Sequence, residues 1–148
     1  MEIKSFIDLF KNNSILVEKN CEPDLSVEGI SYNSREVSEG TLFFCKGAHF
    51  KEQFLVDAVS RGAIAYVSEK KYDIDAPCIL VSDIRKSLYL SANFFYDNAW
   101  EKLNLIGITG TKGKSTTAYY IKYILDGYLN DNGGNESGIA SSIDTFDG

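Results

Sequence analysis

Gly107-Ile108-Thr109-Gly110-Thr111-Lys112-Gly113-Lys114-Ser115-Thr116 is the stretch on which the reading turns. The apolar run before it, Leu103–Ile108, has the pattern of a buried strand. After it the spacing predicts a helix from about Ser115 to Leu129, with Ala118, Ile121, Ile124, Leu125 and Tyr128 as its apolar stripe. Strand, glycine turn and helix together form the opening of an α/β nucleotide-binding domain. The strict phosphate-loop pattern is GxxxxGK followed by Ser or Thr. Gly113-Lys114-Ser115 supplies its end, but Ile108 stands at the first glycine position, with glycines at 107 and 110 instead. Glycines let backbone N–H groups converge on an anion, and the helix N-terminus turns its dipole toward it. Lys114 can reach β/γ-phosphate oxygens as a point charge, and the Ser115 hydroxyl can hold Mg²⁺. Gly110, Thr111, Lys112, Gly113 and Thr116 complete the candidate ATP loop.

Outward toward the N-terminus the chain reads as mixed α and β. Ile3, Phe6, Ile7 and Phe10 share one face of a short helix that Asn12-Asn13 ends. Strands are predicted over 27–32, 42–45, 63–67 and 78–81. A helix over 52–61 turns Leu55, Ala58 and Val59 inward and closes on Gly62. Ser82 is placed to cap a helix running to about Tyr96, with Ile84, Leu88, Ala92 and Phe95 on its buried face. Toward the C-terminus, Ser137–Ser142 is the next candidate strand. Only four of the twelve glycines lie in residues 1–102. That shift divides the chain into a unit over 1–102 and a second over 103–148. One helix and two strands cannot enclose a doubly wound sheet, so the second unit is expected to be the beginning of a domain.

The 148 residues carry 15 basic and 21 acidic side chains, a net charge of −6, with 44% apolar and 24% charged residues. These are ordinary globular proportions. They exclude a disordered, collagenous or coiled-coil chain. The mixed acidic charge argues against a general binder of nucleic acid or anionic membranes. No run approaches the roughly 20 apolar residues of a membrane helix, and no apolar signal core opens the chain. Three widely spaced cysteines, Cys21, Cys45 and Cys78, suit a reducing compartment, so a cytoplasmic location is expected.

Leu103–Thr117, LNLIGITGTKGKSTT, resembles the ATP loop of the Mur ligases, which typically read GxTGTNGKTT. Lys112 replaces the common Asn, and Ser115 the common Thr. The N-terminal part resembles one branch of that family, the UDP-N-acetylmuramoyl-tripeptide synthetases (MurE). The matching motifs are Asn33–Phe44 (NSREVSEGTLFF), Lys46–Phe50 (KGAHF), Arg61–Ala65 (RGAIA) and Asp83–Leu88 (DIRKSL). Asn33 replaces the usual Asp.

The resemblance implies an α/β fold: a small mixed-sheet N-terminal domain that binds a uridine nucleotide, then the opening strand, P-loop and helix of an ATPase domain. It implies that Ser34, His49 and Phe50 contact the UDP end of UDP-MurNAc-dipeptide. It also implies that the whole ligase uses ATP and Mg²⁺ to form an acyl phosphate on the substrate's D-glutamate, which a diamino acid then attacks. This chain alone would bind UDP and part of ATP and be inactive. The diamino acid that the resemblance implies is lysine or diaminopimelate.

Blander roles stand beside several of these. His49 can be a partly exposed loop residue, Ser34 a turn cap, and Arg35 a surface partner for Glu36 or Glu39. Phe94, Phe95, Tyr96 and Trp100 read as packing residues rather than a stacking platform. The rival functions are an isolated uridine-nucleotide-binding module and another P-loop amide ligase, of the MurF or folylpolyglutamate type.

Overall fold

The computed structural model describes residues 1–48 and 50–146 and divides into two units, Met1–Leu103 and Asn104–Gly148. In the first, α1 (Ile3–Asn12) buries the four residues its spacing selects, Ile3, Phe6, Ile7 and Phe10. Five strands follow: β1 (Leu16–Asn20), β2 (Gly29–Ser31), β3 (Thr41–Phe44), β4 (Ala63–Ser68) and β5 (Cys78–Val81). They form one sheet in the order β1-β5-β4-β3-β2. β2 to β5 run parallel, and β1 pairs antiparallel with β5.

Side chains alternate between the two faces, as the pleat requires. Leu42, Phe44, Ala65, Val67, Ile79 and Val81 join the core formed with α1 and α3 (Ile84–Phe95). Phe43, Tyr66 and Cys78 belong to a second core with Leu55 and Ala58 of α2 (Glu52–Ser60). A sheet buried on both faces accounts for the uninterrupted apolar runs of β3 and β5.

Three details of the first unit depart from the sequence reading. The strand expected over 27–32 forms only over Gly29–Ser31. Asp83, not Ser82, caps α3: its Oδ1 accepts from the Lys86 amide at 2.9 Å, while the Ser82 amide donates to the Ile15 carbonyl. The most buried positions of α3 are Ile84, Ser87 and Ser91, so its inward face is rotated from the one predicted. Small hydroxyl side chains face the core there, and the bulkier Leu88, Leu90, Phe94 and Phe95 pack at its margin. Phe94 stands edge-on to Phe6 with centroids 5.5 Å apart, whereas Tyr96 and Trp100 are exposed.

The second unit holds α4 (Lys114–Asp131) and a hairpin of β6 (Ile139–Ala140) with β7 (Thr145–Phe146). The strand expected over 103–108 is not formed; Leu103, Leu105 and Ile106 are exposed. A strand is stabilised by its ladder, and no described segment pairs with this run. For the same reason the strand expected over 137–142 shortens to two residues. No residue of α4 is buried. Ala118, Ile121 and Leu125 are half-covered, and Ile124 and Tyr128 are open to solvent. No helix among the described residues is long and apolar enough to cross a membrane.

Candidate functional sites

In open parallel sheets, ligands collect past the carboxyl ends of the strands. Past β2, the Ser31 hydroxyl accepts from the Asn33 amide at 3.0 Å. The Asn33 carboxamide accepts from the Arg35 amide at 3.2 Å and donates to Glu36 Oε1 at 2.8 Å. This knot shapes the 3₁₀ turn Ser34–Glu36, in which Ser34 is buried. The cap is therefore Asn33 rather than Ser34. Among the described residues Arg35 forms no ion pair; Glu36 is engaged by Asn33 instead.

Past β3, the Lys46 ammonium lies 4.8 Å from the centroid of the exposed Tyr32 ring, bringing a cation and an aromatic face together at the edge shared by β2 and β3. Sequence reasoning did not single out this pair, although a lysine directly after a fully apolar strand was a signal for it. Phe50 is half-buried against Phe43, Phe54 and Tyr72, with centroids 6.4, 6.1 and 5.8 Å away. It packs on the α2 side of the sheet and helps set the course of the loop. His49 lies outside the described residues.

In the second unit, Gly113 takes φ +79° immediately before α4, and Gly110 takes φ +155°. A Cβ at Gly113 would meet no atom within 4 Å, so backbone conformation, not space, calls for glycine there. The first helical bond runs from the Thr117 amide to the Gly113 carbonyl at 2.9 Å. The amides of Lys114, Ser115 and Thr116 are thus the first-turn donors that a helix cannot satisfy internally. Lys114 Nζ donates to the Gly110 carbonyl at 2.8 Å, and the Ser115 hydroxyl lies 3.4 Å from that of Ser142. Thr111, Lys112 and Thr116 are exposed around them. Unsatisfied amides, an exposed ammonium and a hydroxyl fit a magnesium-bound triphosphate, because Mg²⁺ is commonly held by one or two protein oxygens together with the phosphates.

A second cluster fastens α4 to the segment after it. Lys122 Nζ lies 2.6 Å from Asp126 Oδ2 and donates to the Ser137 carbonyl at 2.7 Å. The Ser137 amide and hydroxyl both donate to Asp126 Oδ1 at 2.7 Å. The bond from Lys122, then those from Ser137, hold the Asp126 carboxyl down at about 2, against an ordinary 3.8.

No family model matches the chain. It is 51% identical over 98 residues to a UDP-N-acetylmuramoyl-L-alanyl-D-glutamate--L-lysine ligase of Streptococcus pneumoniae, a match covering 66% of this chain and 20% of that one. The ligase of the same name from Streptococcus mutans is 41% identical over 132 residues, covering 83% of this chain and 27% of the relative. The chain therefore spans a fifth to about a quarter of the length of these relatives. Among solved structures, MurF from Acinetobacter baumannii superposes with a TM-score of 0.53 at 29% identity, over 67% of this chain and 22% of the other.

Proposed function

From the premise that this chain belongs to the Mur ligase family, we propose that it carries the uridine-nucleotide seat and the ATP loop of a ligase that adds L-lysine to UDP-MurNAc-L-Ala-D-Glu in peptidoglycan synthesis. Residues 1–103 hold the UDP end past β2 and β3, with Ser34 and Phe50 in the segments after those strands and His49 beside Phe50 in sequence. Residues 104–148 contribute the phosphate loop. The amides around Gly113 cradle the phosphates, Lys114 neutralises charge on the transferring phosphoryl group, and Ser115 holds Mg²⁺. The metal supplies charge neutralisation at the phosphates.

In the whole ligase the D-glutamate carboxylate takes the γ-phosphoryl group and ADP leaves. The neutral lysine amine then attacks the acyl carbon, the acyl C–O bond to phosphate breaks, and phosphate leaves with the proton that the nitrogen gives up as the amide forms. The choice of lysine rests on the names of the relatives at 51% and 41% identity.

The observation that carries this reading is the loop itself: free first-turn amides beside a lysine whose present acceptor is a loop carbonyl. A MurF-type activity has the superposed structure in its favour, but that likeness runs at 29% identity.

Calorimetric titration of the chain with MgATP, and separately with UDP, tests both halves. Saturable heat with each ligand is the expected result. No binding of MgATP at millimolar concentration removes the ATP-loop assignment, and no binding of UDP removes the other.

A further inference from the structure

We propose that Asp126 is a positioning residue for the phosphate loop: it fixes the segment over 137–144 so that the Ser142 hydroxyl stands beside that of Ser115. The inference deepens the ATP-loop reading and rests on it. Asp126 lies more than two helical turns from Lys114 and touches none of the loop residues. Its two carboxylate oxygens are divided between Lys122 on its own helix and the amide and hydroxyl of Ser137. Lys122 closes the ring by donating to the Ser137 carbonyl, with its ammonium 4.7 Å from the centroid of the Phe146 ring in β7. Both ends of the hairpin are thereby fastened to one turn of α4.

Between those ends, Ser141 builds the tip. Its hydroxyl accepts from the amides of Ile143 and Asp144 at 3.1 and 3.2 Å, and its amide donates to the Asp144 carbonyl at 2.9 Å. The residue this tip presents is Ser142, 3.4 Å from Ser115 across 27 positions of sequence. At 3.4 Å the two hydroxyls are in long contact and either can donate, so Ser142 biases the Ser115 rotor without fixing it. Asp126 therefore acts on the magnesium-dependent part of nucleotide binding through the hairpin.

The test compares the wild-type chain with Asp126→Ala, Ser142→Ala and the double variant. Affinity is measured for ATP with magnesium and with EDTA, and Ser115 and Ser142 amide shifts are recorded without nucleotide. Each single variant is expected to weaken MgATP by about two- to threefold, less than the roughly fivefold of an ordinary hydrogen bond, as suits a 3.4 Å contact. The double variant should be no weaker than either, and ATP in EDTA should be unchanged. Equal loss with and without magnesium, or additive losses, would overturn the proposal, because Asp126 would then only hold the unit together. Should the wild-type chain bind no MgATP, the ATP-loop reading fails, and the nucleotide-free shifts decide the positioning claim. It stands if Asp126→Ala moves the Ser142 amide, and the Ser115 amide to its place in Ser142→Ala. It falls if Asp126→Ala leaves both amides unmoved.

Discussion

Lys114 turns its ammonium back onto the carbonyl of Gly110, 2.8 Å away, across the loop that the two residues bracket. The contact is exposed, so its worth to folding is small; exposed charged contacts contribute about 0–1 kcal/mol. Its significance is positional, because the ammonium is held at the loop by a carbonyl acceptor that a phosphate oxygen can replace.

Replacing Lys114 with alanine should therefore separate folding from binding. Thermal unfolding and helix content are expected to stay near wild type. MgATP affinity should fall at least about tenfold, since a hydrogen bond to a charged group contributes about 1.5–3 kcal/mol and 1.4 kcal/mol is one decade. Calorimetry read beside circular dichroism checks both. Unchanged affinity would falsify the role given to this lysine.

Gly62 is a second position where one atom decides. It closes α2 at φ +102°, and its carbonyl accepts from the Gly40 amide at 3.2 Å. A Cβ there would stand 2.8 Å from the Glu39 Cα and 3.0 Å from its amide nitrogen, both backbone atoms that cannot swing away. The left-handed conformation alone costs a non-glycine residue about 1–2 kcal/mol. Gly62→Ala should destabilise the first unit by more than that, seen as a lower urea midpoint at unchanged slope. An alanine variant with the wild-type midpoint would mean that the α2–β4 corner relaxes freely.

The first unit was largely legible because its elements satisfy one another locally. Ile3, Phe6, Ile7 and Phe10 announce α1, and the apolar runs of β3 and β5 announce strands covered on both faces. β1 was missed for a physical reason. Its residues, Leu16 to Asn20, are mostly exposed and partly charged, and it is a strand only because β5 offers it a ladder. Leu103–Ile108 erred in the opposite sense. Its apolar composition suits a central strand, but composition cannot supply the neighbours that a strand requires. Around the candidate site, the turn into α4 was readable from glycine spacing. Asp126, Ser137 and Ser142 were not, because their relation is made by a hairpin closing across 11 to 27 residues.

Ser91 offers a test with the opposite sign. Its side chain is fully buried in α3, and among the described residues its hydroxyl has no partner. Ser87, one turn earlier, donates to the Ile84 carbonyl at 2.9 Å. An unpaired buried hydroxyl costs about 1–3 kcal/mol of desolvation. Ser91→Ala is therefore expected to be neutral or to raise the unfolding midpoint, and Ser87→Ala to lower stability by about 1 kcal/mol, the net value of one hydrogen bond. A clear loss of stability in Ser91→Ala would show that its hydroxyl finds a partner in solution.

The three thiols should differ in reactivity. Burial pushes Cys45 up to about 12, and Cys78 is equally enclosed beside Tyr66 in the α2-side core. Cys21 is only half-buried; burial raises its thiol too, against the opposing field of Lys19. Since the thiolate is the nucleophile, a maleimide at pH 8 should label Cys21 first and the other two only on unfolding. Mass mapping of the native, labelled chain checks the order, and early labelling of Cys45 would contradict it.

Acid should loosen the second unit through one carboxylate. The bonds from Lys122 and Ser137 lower the folded-state value of Asp126 to about 2, below the ordinary 3.8 that it regains when its partners are lost. A depressed carboxyl contributes stability that is fully present above the unfolded value and is lost as pH falls through the folded one. The attachment of the hairpin to α4 should accordingly hold at pH 5 and weaken progressively between about 4 and 2. The Ser137 amide, bonded to Asp126 Oδ1 at 2.7 Å, reports this directly. Its shift should titrate with a midpoint near 2 in the wild-type chain. In Asp126→Asn, which has no proton to take up at that position, the step near 2 should be absent, and any change left belongs to Glu136, the residue before Ser137, whose carboxylate also faces Lys122 at 3.9 Å. A wild-type profile identical to that of Asp126→Asn, with no step near 2, would mean that the lysine and serine bonds do not persist in solution, and the clamp on the hairpin would go with them.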